Sequence, residues 1–190
     1  FQLVPIMIRH SDLLPEPLQQ KAQDAIRLGL EEIARIDVHP RYTNIVVKDI
    51  TNTCLGGEYL QDDKIKQRGY DKFHTWMAYT DRSGCQYEFN SPGYAGVALR
   101  VLYKLVELVQ DETIRLRAEI MRSRIGLSAA LHIHPATGRW AGPFSRAYHG
   151  TVICNMPPEI HTVRGWLTSG DMPTWLANAM ADRPEKMNLI

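Results

Sequence analysis

The chain has 190 residues, 44% hydrophobic and 23% charged, enough apolar side chain to bury one core and to favour a single helical domain over 1–190. With 22 basic against 21 acidic side chains the net charge is +1, and the scattered Lys and Arg make no basic face, so no nucleic-acid partner is expected. No apolar run approaches the roughly 20 residues needed to cross a bilayer, so no membrane span is expected.

Residues 1–13 give no regular pattern. Pro15 and Pro17 bracket a helix start. Leu18, Ala22, Ala25, Ile26 and Ile33 then recur at helical spacing, until Asp37-Val38-His39-Pro40 stops the helix. Thr43 is placed to cap a second helix running to about Leu55, with Ile45, Val46, Ile50 and Cys54 as its stripe and Gly56-Gly57 as its break. A third helix is predicted from about Asp62 to Tyr79, with Ile65, Phe73, Trp76 and Met77 inward and Arg82-Ser83-Gly84 ending the unit. Residues 87–93, YEFNSPG, read as a loop, since Pro92 biases Ser91 to an extended conformation. A fourth helix follows to about Val109, with Val97, Val101, Leu105 and Leu108 on one face. Asp111 is placed to cap a fifth, to about Leu131, with Ile114, Ala118, Met121, Ile125 and Ala129 inward. Beyond it, 132–158 has no helical period and reads as a long, irregular functional loop. A short helix is expected within 166–180, and 183–190 reads as a loose tail. The short connections predict an all-α fold of antiparallel helical hairpins.

Four segments in this order have a family look: DVHPRYTNI (37–45), LGGEYL (55–60), YEFNSPGYAGV (87–97) and HPATGRWAGPFSRAY (134–148). Over about residues 15–150 the chain resembles the helical part of heparinase II/III-like and alginate-lyase-like proteins. The resemblance implies that the hairpins form part of an (α/α) toroid and that the substrate is a uronate-type sugar or oligosaccharide. A full toroid needs about twelve helices, so a homo-oligomer or a further chain segment would complete it.

Uronate β-elimination needs a group that neutralises the carboxylate, a base for the C5 proton and an acid for the departing O4. Tyr148 and His149, with His134 or His132, are the candidate acid–base residues, because His titrates near neutrality and Tyr can transfer a proton when tuned. Asn90, Arg139 and Arg146 are candidates for holding the carboxylate, with Tyr94, Trp140 and Glu88 completing a sugar-acid site. Each has an ordinary alternative: Asn-Ser-Pro is good turn chemistry, Tyr94 could simply pack, and the arginines could pin the loop to helix-borne glutamates. The His132–His134 pair has a spacing that could bind zinc if a third ligand such as His149 or Glu88 joined it, but no metal or other cofactor is assigned. Cys54, Cys85 and Cys154 lack metal spacing and are expected as packed thiols. A glycoside hydrolase using Glu88 with Asp81 or Glu58 is the rival enzyme. A small-molecule lyase or isomerase on the same scaffold, and a non-catalytic binding or assembly protein, remain open.

Overall fold

The computed structural model describes residues 2–134, 139–141, 145, 146 and 165. Tyr148, His149, most of the 132–158 loop, the 166–180 segment and the 183–190 tail lie outside the described residues. Through residue 134, six α-helices run in order: α1 (Leu3–His10), α2 (Glu16–Ile36), α3 (Thr43–Tyr59), α4 (Asp63–Ser83), α5 (Pro92–Leu108) and α6 (Glu112–His132). They pack as antiparallel neighbours, so the fold is all-α. A two-stranded hairpin follows, β1 (Ile133–His134) against β2 (Arg139–Trp140). No described helix is long and apolar enough to cross a membrane.

Helix α1 was not legible in the sequence: it buries Val4 and Met7 against the core, and the 132–158 segment, expected after a fifth helix, therefore follows the sixth and opens with the hairpin rather than with irregular chain. In α2 the buried residues are Ile26 and Leu30, with Ala22 and Ile33 half-buried, whereas Leu18 and Ala25 face outward. The helix touches the core along one narrow strip, so helical spacing alone selected too many positions.

Helix α3 departs furthest from expectation. Its N-cap residue is Tyr42, not Thr43, and it continues through Gly56-Gly57 to Tyr59. Each glycine costs the helix about 1 kcal/mol relative to alanine, but here they permit close packing. A Cβ on Gly56 would lie 2.6 Å from the Leu30 side chain, and one on Gly57 would lie 2.5 Å from the Lys66 backbone nitrogen. Packed by α1, α2, α4 and α5, the helix is buried almost all round, including Asp49, Thr51, Asn52 and Thr53, and Ile45 is instead exposed.

Helix α4 begins at an Asp62 cap, whose carboxylate accepts the Ile65 amide at 3.0 Å, and ends at Gly84 in the left-handed region (φ 77°). Phe73 and Trp76 are fully buried, while Ile65 and Met77 pack at the margin. In α5 the expected Val101 and Leu105 are core residues, but Val97 and Leu108 are only half-buried; Ala98, Leu99 and Leu102 pack inward beside them. In α6 all five expected positions are buried, and the Asp111 carboxylate accepts the Ile114 amide at 2.9 Å.

Candidate functional site

The loop between α4 and α5 is fixed at both ends. Ser91 caps α5, its hydroxyl accepting the Tyr94 amide at 3.4 Å, and Pro92 occupies the first turn, where a missing N–H costs nothing. The distal segment is fastened to this loop through Asn90. The Asn90 carbonyl accepts the Ser145 amide at 2.8 Å and the Ser145 hydroxyl at 3.2 Å. The Asn90 side-chain oxygen accepts the Trp140 indole N–H at 3.2 Å.

Trp140 is buried and stacks on His132 with ring centres 5.2 Å apart; His132 in turn meets Phe89 at 5.9 Å. The His132 Nδ1 lies 2.7 Å from the Ser128 carbonyl. A carbonyl only accepts, so Nδ1 is the donor in this contact. His132 closes α6 while His134 lies in β1, so the two do not project from one continuous extended segment.

The Glu88 carboxylate accepts the Asn44 amide at 2.7 Å, in the first turn of α3. It thereby satisfies a donor that the helix itself leaves open and places negative charge at the positive end of the helix dipole. Burial pushes the Glu88 carboxyl above its ordinary value, opposed by the Asn44 amide and the Arg146 charge. An elevated folded-state value means that the folded chain holds its proton more tightly than the unfolded chain. Stability linked to Glu88 should therefore be full below the ordinary carboxylate value and fall as pH rises through the elevated one. Urea titrations at successive pH values should show this decline in the wild type and its absence in Glu88→Gln; identical profiles would contradict the assignment.

These contacts shape a cleft of about 460 Å³ bounded by Arg41–Tyr42 at the start of α3, Tyr87–Asn90 and Ser145–Arg146. The Arg41 guanidinium lies 4.8 Å from the Tyr42 ring centre and donates to the Tyr42 hydroxyl at 2.9 Å. Its backbone amide donates to His39 Nδ1 at 3.1 Å. Arg146 is exposed and left-handed (φ 58°), uncommon for a residue with a Cβ. The cleft thus offers two guanidinium groups, three exposed aromatic rings (Tyr42, Tyr87, Phe89) and one half-buried carboxylate. Arginines suit an anionic group and aromatic faces suit the flat side of a ring.

Of the residues singled out in sequence, Glu88, Asn90 and Arg146 line this cleft. Trp140 and His132 form the stack behind it. Tyr94 sits in the first turn of α5 and is not among the described residues lining the cleft. His134 and Arg139 are described by their backbones alone, as paired residues of the hairpin. Sequence reasoning did not single out Arg41, Tyr42, Tyr87 or Phe89. The available signal was a polar, aromatic turn, His-Pro-Arg-Tyr, leading directly into a helix N-terminus.

Two of the carboxylates of the rival hydrolase, Glu58 and Glu88, lie at opposite ends of α3. Glu58, near the far end of α3, accepts the Tyr70 hydroxyl at 2.6 Å and the Gln110 and Asp111 amides at 2.9 and 3.3 Å. Burial and the Glu58 carboxylate push the Tyr70 phenol up. At about 1.5 Å per residue, Asn44 and Glu58 are about 21 Å apart along α3. Glycosidase carboxyl pairs are separated by roughly 5–9.5 Å, so Glu58 and Glu88 are not arranged as such a pair. Asp81 is paired with Arg124.

A family model described as "Domain of unknown function (DUF8769)" matches residues 2–179, and the chain belongs to that family. No curated protein matches the chain. No solved structure matches it either.

Proposed function

We propose that this member of the DUF8769 family is a carbon–oxygen lyase that binds a uronate-type sugar acid in the cleft between Arg41–Tyr42, Tyr87–Asn90 and Ser145–Arg146. The observation that supports this reading most directly is that Asn90 and Arg146, drawn from distant parts of the sequence, line one cleft beside a second guanidinium and three exposed aromatic rings. In this reading Arg146 and Arg41 neutralise the substrate carboxylate, which makes the neighbouring C5 proton acidic enough to remove. Tyr42, Tyr87 and Phe89 lie against the sugar ring. Asn90 already spends its backbone carbonyl on Ser145 and its side-chain oxygen on Trp140, so it fixes the position of the arginine segment.

The reaction is a β-elimination. The C5–H bond breaks, its electron pair forms the C4–C5 double bond, and the C4–O4 bond breaks as O4 takes up a proton. Tyr148 and His149 follow Arg146 by two and three residues and are assigned the two proton transfers. The antiparallel hairpins are the unit from which an (α/α) toroid would be built, and the toroid belongs to this same proposal.

Incubation with a panel of uronate polymers should generate the ultraviolet absorbance of an unsaturated uronate. Arg146→Ala should lower kcat/KM by about 100-fold through loss of a charge-assisted contact, and Tyr148→Phe should lower kcat further. No absorbance across the panel overturns the lyase assignment, and new reducing ends without absorbance would identify a hydrolase instead. Ligand affinity unchanged in Arg41→Ala and Arg146→Ala would remove the cleft from the proposal.

A further inference from the structure

Helix α6 carries two apolar stripes on opposite faces. One, from Ile114 to Ala129, packs into the core. The other begins at Thr113, Leu116 and Ile120, and its alternation of three and four residues continues through Ser123 to Leu127 and Ala130, where the stripe meets the core: Leu127 packs against it and Ala130 is buried. That alternation is the seam of a two-helix coiled coil, and it lies about half a turn from the core stripe. The seam is open over its first turns: Leu116 is 58% and Ile120 43% exposed, and Thr113 is also exposed. Isolated surface leucines are ordinary, but Leu116 and Ile120 share one face over about two turns, with charges arranged along both flanks.

The flanking charges identify that partner. Glu112 and Glu119 precede seam positions on one side, and Arg117 and Arg124 follow seam positions on the other. Each arginine lies five residues beyond a glutamate, the spacing at which the two flanks of a parallel pair meet across the seam. The pattern therefore complements itself when the second helix is a parallel, in-register copy. In an antiparallel pair glutamates would face glutamates and arginines would face arginines. Glu112 meets Arg115 of its own helix only at 4.0 Å and its side chain is 92% exposed, so it can exchange that contact for one across the seam. Arg124 is shared with Asp81, so the Glu112–Arg117 pair carries the recognition.

We propose that α6 mediates a two-fold symmetric dimer of this chain, pairing parallel and in register through Thr113, Leu116 and Ile120 and flanked by Glu112–Arg117 ion pairs. The inference is independent of the cleft and of the lyase reading.

Sedimentation equilibrium of the full chain at micromolar concentration should give a mass near twice 21.7 kDa. Leu116→Lys combined with Ile120→Lys should give a monomer with unchanged helical circular dichroism. Glu112→Lys alone and Arg117→Glu alone should each weaken the dimer by about fivefold, and mixing the two variants should restore it as a heterodimer. Thr113→Cys should form a disulfide-linked dimer on mild oxidation where the wild type does not, because only a parallel, in-register pair brings the two copies of position 113 together. A monomer at all concentrations, a dimer indifferent to the Leu116/Ile120 change, or a dimer without the Thr113→Cys cross-link would each overturn the proposal.

Discussion

Replacing Arg68 with alanine is expected to destabilise the fold by about 3 kcal/mol, since removing one partner strands a buried charge. The Arg68 guanidinium grips both oxygens of Asp49, at 2.6 and 3.1 Å, and Asp49 is only 4% exposed. The same guanidinium reaches Asp37 at 2.9 Å, where Lys72 joins it at 2.6 Å. These two cations hold the Asp37 carboxyl below its ordinary value, Lys72 first. Asp37 ends α2 in a left-handed conformation (φ 44°), so the network ties the turn between α2 and α3 to α4. The arginine side chain is one-fifth exposed, which places the expected loss at the low end for a broken buried pair. Replacing both partners, as Asp49→Leu with Arg68→Met, should cost less than Arg68→Ala, because no uncompensated charge remains. Urea unfolding of the three proteins checks the order; a double variant less stable than Arg68→Ala would show that the pair stabilises the fold beyond mutual neutralisation.

The second large effect is steric. Gly69→Ala should destabilise by about 2–3 kcal/mol, within the range for forcing an extra methyl into a packed interior. Its Cβ would sit 2.7 Å from the Cys54 backbone nitrogen and 2.9 Å from Thr53 Oγ1. Gly57→Ala should be comparable, because it too meets backbone, at Lys66. In both cases α3 and α4 would have to separate. Gly29→Ala, in the exposed interior of α2 with nothing within 4 Å of the new methyl, should stabilise by about 0.5–1 kcal/mol. Thermal unfolding of the three variants tests the assignment; equal effects would mean that the α3–α4 approach does not depend on glycine.

The same contrast explains which elements were legible. Helices α4 and α6 announce themselves: an Asp cap precedes each, and Gly84 ends α4. Helix α3 was legible over Thr43 to Leu55, with Val46, Ile50 and Cys54 inward, but not in its full extent, because a helix surrounded by neighbours has no polar face to set its period and its glycine pair reads locally as a break. Its polar interior has the same cause. Asp49 is tolerated inside because Arg68, nineteen residues away, satisfies it, and no window around Asp49 contains that information.

By itself, the sequence determined the helical class, the core stripe of α6, its Asp111 cap, and the chemical character of two loops, because these depend on residues within a turn or two of one another. Only the tertiary structure decided that α3 continues through Gly56-Gly57, since that depends on Leu30 and Lys66. It also decided that Glu58 and Glu88 serve opposite ends of one helix, and that Asn90 fastens a segment some fifty residues downstream so that Arg146 shares a cleft with Arg41. Propensity and capping act along the chain, whereas hydrogen bonds to distant amides and the closeness of two helices act across it.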